Sequence, residues 1–311
     1  MNKLYKSSTI CLLLLILYAE GFSHEQQAKW YDEYPDCNSD RQSPIELNSN
    51  EATTSYSIPA LNFVNYDVTY KDPVVTQNTG HTVDSQLPAY LNSEWLPHDS
   101  QFPYIYDGPL PNGYYIPQSF HFHWGSKDAH GSEHVIDGRR YSLEMHIVHK
   151  NSKYATVAEA SNYIDGLTVL AVLFQTQESA PYLEDFDVVL KAISLTTAYE
   201  DTTHIYNFTL SSLLGNLKTT EFFTYEGSLT TPPCSQAVTW IVFTDIKTIS
   251  PSQMHVFHSL SDSHGVILEN NYRSLQAKAN RKIYLRKSRQ VIDTTVESNL
   301  YKMLRDKLVP Q

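Results

Sequence analysis

His121 and His123 are separated by one residue in Gln118-Ser119-Phe120-His121-Phe122-His123-Trp124-Gly125, and a third histidine, His146, follows in Ser142-Leu143-Glu144-Met145-His146-Ile147-Val148-His149. Successive side chains of a strand point to opposite faces, so His121 and His123 share one face while Phe120 and Phe122 turn the other way, into apolar packing. Glu144 and His146 repeat that spacing on what the alternation predicts to be a neighbouring strand. Three neutral imidazoles with a fourth position left open form the ligand set of a catalytic zinc rather than a structural one. A lone H-x-H on a strand is more often a pair of surface or hydrogen-bonded histidines. The third histidine, on its own alternating segment, turns the reading toward a metal.

Four more segments carry residues able to do chemistry. They are Arg41-Gln42-Ser43-Pro44-Ile45, which follows Cys37, then Asn78-Thr79-Gly80-His81, Gly131-Ser132-Glu133-His134, and Gly227-Ser228-Leu229-Thr230-Thr231-Pro232-Pro233-Cys234. With the histidines, this set resembles the α-class carbonic anhydrases, in particular their secreted, disulfide-containing members. The resemblance runs from about Trp30 to Lys287 with all landmarks in order. It implies a mainly β single domain with a large central, mostly antiparallel twisted sheet and short surface helices. It also implies zinc-dependent reversible hydration of CO2 to bicarbonate and a proton, by zinc hydroxide attack on CO2 with histidine-mediated proton shuttling.

The resemblance assigns roles residue by residue. His121, His123 and His146 match the ligands of Zn2+, the implied cofactor. Thr230 matches the hydroxyl that accepts a hydrogen bond from the zinc-bound group, and Glu133 the carboxylate that takes the threonine proton. Glu144 and the backbone carbonyl of Asn271 match the acceptors that orient two of the zinc histidines. Ser119 stands where the family usually has glutamine, a departure that predicts a zinc held less firmly. Val148, Val169, Leu229, Val238 and Trp240 match an apolar wall for CO2, although as isolated residues they read simply as core. Thr231 is placed to bond bicarbonate and inhibitors, and His81 matches the mobile proton shuttle. Thr79 and Asp84 occupy positions where asparagines are common, and the familiar N-terminal segment with a water-ordering tyrosine is not recognisable in His24–Lys29. A negative Asp84 near His81 would raise the shuttle's pKa, and proton transfer slower than the family's best is expected. Sulfonamides and anions are the implied inhibitors, and weak esterase activity is a side expectation. The competing readings are a binding module that keeps the fold without catalysis, whose usual lesion is a lost zinc histidine, and a secreted matrix protein.

The bulk properties bound these readings. The chain has 311 residues, 41% of them hydrophobic, enough for one large core. Lys3 and Lys6, an apolar run over 11–19, and small residues at −3 and −1 of a cut after Gly21 or Ser23 read as a secretory signal peptide over 1–23, too short for a comfortable membrane span. Cys11 leaves with it, and Cys37 and Cys234 remain as an even pair in an oxidising, extracellular compartment, so a disulfide is expected. The net charge is −11, which argues against nucleic acid and anionic membranes as partners. Asn207-Phe208-Thr209 is a glycosylation acceptor, and the polar C-terminus makes no case for a membrane anchor. A monomer or weak homo-oligomer is expected.

The elements that must position the site are short alternating runs from Ile45 to Val291, broken by Asn, Asp, Gly and Pro. Thr168–Phe174 is apolar throughout and reads as central, buried on both faces. Residues 24–40 read as an irregular arm. Glu184–Ile193 and Pro251–Leu260 read as helices, the latter with Ser250 as N-cap, and a tail over 288–311 contains a possible amphipathic helix at Glu297–Leu308.

Overall fold

The computed structural model describes residues 22–88, 102–111, 113–127 and 129–288. All of the expected leader except Phe22 and Ser23, and all of the tail beyond Ser288, including the 297–308 segment, lie outside the described residues.

Among the described residues a 13-stranded mixed sheet dominates. Its middle runs in the order Val74–Asn78, Val83–Gln86, Tyr115–Trp124, Leu143–Asn151, Leu167–Thr176, Val238–Phe243, Phe222–Gly227. Neighbours in this series are antiparallel except Leu167–Thr176 with Val238–Phe243, which run parallel. The expected architecture is thus present, with parallel pairs at the centre and at the Tyr284–Arg286 edge. A separate three-stranded sheet joins Glu46–Leu47, Val135–Ile136 and Arg139–Arg140.

The period of two sorts side chains onto two cores. Phe120, Phe122, Met145, Ile147, Leu170, Val172 and Phe174 face one apolar cluster. Val148, Val169, Ala171, Trp240 and Val242 face the other. Leu167–Phe174 contributes to both, which explains why that run shows no polar alternation. Each fully buried Phe or Leu contributes about 1.5–3 kcal/mol of apolar burial.

Among the described residues, helices are few and short. The helix expected over 184–193 is a 3-10 turn, Glu184–Phe186, leading into an α-helix, Asp187–Ser194. The α-helix buries Val189, Leu190 and Ile193 against the sheet, with Asp187 in its first turn and Lys191 in its last. The helix expected over 251–260 is only Pro251–Met254, with Phe257–Ser259 as a separate 3-10 turn. Its expected cap is formed, since the Ser250 side chain accepts from the Gln253 amide. The arm read as irregular holds three short helical turns, His24–Lys29, Trp30–Glu33 and Pro35–Asn38, pinned by Trp30. The Cys37–Cys234 disulfide joins this arm to the 227–234 loop.

Candidate metal centre

His121 and His146 are direct cross-strand partners, and Glu144 lies opposite His123. That register gathers the three imidazoles on one face, with possible ligand atoms within 4.8 Å of one another. His123 Nε2 and His146 Nδ1 face each other at 3.1 Å. Two ligands bound at 2.0–2.1 Å to one tetrahedral ion sit about 3.3 Å apart, so the donor set fits zinc. Burial, and then the His123 and His146 rings, hold His121 well below the ordinary histidine range; burial also lowers His146. These two rings are therefore neutral at neutral pH, the form that ligates metal.

The far nitrogens of two of the three rings find acceptors. His123 Nδ1 donates to the Asn271 carbonyl at 2.8 Å, and His146 Nε2 to Glu144 Oε1 at 2.7 Å. Glu144 also accepts from the His134 amide at 2.7 Å and from His134 Nδ1 at 2.6 Å. Burial pushes Glu144 upward, but His134 and the bonds from both imidazoles outweigh it and hold the carboxyl well below its usual range. His134, Glu144 and His146 also lie close enough together to hold an ion. They are already hydrogen-bonded to one another, and His134 Nε2 continues the chain to the Tyr225 hydroxyl, which donates to Ser43. We therefore read them as a buried hydrogen-bond network and not as a second metal site.

Glu133 is fully buried. Its Oε1 accepts from the Arg273 amide at 2.8 Å, while Oε2 lies 3.6 Å from His123 Nε2 and has no hydrogen-bond partner among the described residues. The bond expected from Thr230 to Glu133 is not formed. A buried carboxylate oxygen with no donor, beside two facing imidazole nitrogens, is chemistry that a bound cation would complete. Arg273 locks this corner. Its guanidinium donates to Gln42 Oε1 and to the Ser43 and Cys37 carbonyls, and stacks over Trp30 at 5.4 Å.

A cleft opens over the histidines, lined in part by His24, His81, Ser119, Val148, Leu229 and Thr231. Val148, Val169, Val238 and Trp240 belong to one apolar cluster on which Leu229 packs. Only Val148 and Leu229 of that set reach the cleft; Val169, Val238 and Trp240 lie behind it, with the Trp240 ring 4.8 Å from that of His146. Thr230 is 6% exposed, between Leu229 and Thr231 of the cleft lining, and Asn207 is exposed. His81 sits in the turn after Val74–Asn78, where Gly80 has φ +76° and an added Cβ would meet Tyr199 at 2.9 Å. The His81 ring stacks on Phe22 at 4.1 Å. Asn271 donates to the His81 carbonyl at 2.9 Å, tying this turn to the histidine strand.

The family model for eukaryotic-type carbonic anhydrase matches residues 25–287. The chain belongs to that family. It is 36% identical to carbonic anhydrase 6 of Mus musculus over 260 residues, covering 82% of this chain and 76% of that one. It is 34% identical to carbonic anhydrase 6 of Homo sapiens over 263 residues, covering 83% and 79%. It is 36% identical to carbonic anhydrase 1 of Mus musculus over 236 residues, covering 76% and 84%. The chain is a carbonic anhydrase, and its reaction is the hydration of CO2.

One expectation about this carbonic anhydrase needs correction. Asp84 does not set the charge state of His81. It lies on Val83–Gln86 directly opposite His121, buried, with Oδ1 4.0 Å from His121 Nδ1. His81 lies in the 79–82 turn and Asp84 in the strand that follows it, so proximity in sequence is lost in space. Burial lowers the His81 pKa, and the carboxylate that works against burial is Asp262. Sequence reasoning also missed His24, which lines the carbonic anhydrase cleft with its pKa lowered to about 3 by burial and then by His123 and His81. It missed the role of His134 too, although that residue stands in the segment quoted for Glu133.

Proposed function

We propose that His121, His123 and His146 hold a Zn2+ ion and that the cleft above them is where CO2 is hydrated. The observation that carries this reading is the cluster of three imidazoles beside the unpartnered Glu133 Oε2. Bound zinc supplies a water acidified to a pKa of about 7, a value known from carbonic anhydrases themselves. The residues do the rest. Glu133 takes the Thr230 hydroxyl proton, so that Thr230 must accept a hydrogen bond from the group at the open position. Val148 and Leu229 give CO2 a dry surface, backed by Val169, Val238 and Trp240. Thr231 donates to bicarbonate or to an inhibitor. An imidazole nitrogen of His81 carries the proton to solvent, and burial, which keeps that ring neutral, readies it to accept. Asn271 and Glu144 support the rings of His123 and His146.

The same reading places a signal peptide over 1–23, a catalytic domain over 24–287 and a tail over 288–311, in a secreted protein with a glycan on Asn207. The disulfide supports an oxidising compartment. No helix among the described residues is long and apolar enough to cross a membrane. Sulfonamides and anions inhibit, and the protein is a monomer or weak homo-oligomer.

Stopped-flow CO2 hydration by mature, oxidised protein, with zinc measured on the same sample, tests the assignment. One zinc per chain and sulfonamide-sensitive turnover are expected, both lost in His121→Ala. Full activity without bound zinc, or in that variant, would overturn it.

A further inference from the structure

Two of the three imidazoles have an acceptor fixed on the nitrogen away from the cluster: the Asn271 carbonyl for His123 and the Glu144 carboxylate for His146. The third ring, His121, has two candidates. Ser119 is two residues away on the same strand face, but its Oγ is buried and makes no hydrogen bond among the described residues. Asp84 is the direct cross-strand neighbour of His121 in the Val83–Gln86 ladder, with its carboxylate on the same face. Its Oδ1 is 4.0 Å from His121 Nδ1, while Oδ2 accepts from the Gln86 side-chain amide, which fixes the carboxylate's direction. Asp84 is 3% exposed, so little water competes for that oxygen.

We infer that Asp84 is the positioning residue for His121, taking the Nδ1–H in place of the short Ser119. The inference rests on the zinc reading above. A hydrogen bond needs the gap to close by about 1 Å, or a single bridging water. With it formed, each of the three rings has its tautomer fixed from outside, so that its other nitrogen is free for the metal. A strand-to-strand carboxylate thus does what a longer side chain at position 119 would do from the histidine's own strand.

Zinc dissociation constants, measured by competition with a chromophoric chelator on the mature oxidised protein, decide it. If wild type binds no zinc, the zinc reading falls and this inference with it; the arms below concern Asp84 alone. Asp84→Leu, close in volume but without an acceptor, is expected to weaken zinc binding about 10–100-fold. Adding Ser119→Gln, whose amide starts on the same face as His121, should recover most of the loss. A constant for Asp84→Leu within about twofold of wild type, or a loss that Ser119→Gln does not recover, overturns the hydrogen-bond role. Should Asp84→Leu fail to fold, Asp84→Asn keeps the shape. In its zinc form the His121 Nδ1–H proton resonance should move upfield while those of His123 and His146 stay. An unmoved resonance overturns the inference.

Discussion

Thr230 and Glu133 are adjacent in role but carry different burdens. Glu133 is locked by the Arg273 amide, whereas no hydrogen bond joins Thr230 to it among the described residues. Thr230→Ala should therefore leave zinc affinity near wild type and lower kcat/KM by about 100-fold, the scale of a lost alignment at a reacting centre. Steady-state CO2 hydration and a zinc titration on the same variant check both halves. His149 makes a separate case, remote from turnover. It is buried, close to the Tyr66 hydroxyl on one side, with Nδ1 donating to the Ile147 carbonyl at 2.9 Å on the other. Burial, only partly offset by that backbone bond, lowers its pKa from 6.5 to about 3. A histidine lowered in the folded state binds its proton more readily when unfolded, so the stability it contributes is complete above pH 6.5 and is lost progressively toward pH 3. Over that window it adds about 1.4 kcal/mol per pH unit to the slope of unfolding free energy. Urea titrations at several pH values should show His149→Gln with a slope shallower by one proton.

At the scale of elements, the arm over 22–41 is fastened covalently to the 227–234 loop through Cys37–Cys234, and its Cys37 carbonyl accepts from the Arg273 guanidinium. The disulfide closes a sequence separation of 197 residues, for which chain entropy gives an upper figure of about 5 kcal/mol. Cys37→Ser/Cys234→Ser should lose several kcal/mol in denaturant titrations and, because Cys234 ends the 227–234 loop, lose turnover as well. Phe122→Ala should cost about 3–5 kcal/mol, since its ring is fully buried between the sheet and Phe257.

Elements were also where the sequence was most and least readable. The histidine strand and its partner were legible because a period of two assigns every side chain to a face before any fold is known. Thr168–Phe174 was legible for the opposite reason, an apolar run with no polar face. Asp84 was misplaced because which strand lies beside which is a property of register, and local sequence carries no signal for it. His24 and Arg273 meet the site from opposite ends of the chain, and nothing in their surroundings announces it. The 251–260 run was over-read as one helix because apolar spacing survives a break into two short turns.

For the molecule as a whole, a metal held by the three histidines would add to stability without making the fold. Two large apolar clusters pack both faces of the sheet independently of the histidines. Chelation should therefore leave a cooperative, folded apo form with a lower Tm, and free zinc at 100-fold over its Kd should restore about 2.7 kcal/mol. Differential scanning calorimetry with and without a strong chelator checks this. Unfolding on chelation at room temperature would contradict it.

Under the proposed signal peptide, Phe22, stacked on His81, would have a bearing on how the protein is matured. Signal peptidase cutting after Gly21 would leave that ring as the first residue of the secreted chain; cutting after Ser23 would discard it. The two products differ by a dipeptide in mass and by the freedom of one imidazole to swing. Trimming at the secretory membrane would then act as a setting on proton exchange, and a recombinant start site chosen two residues late would report the kinetics of a different enzyme.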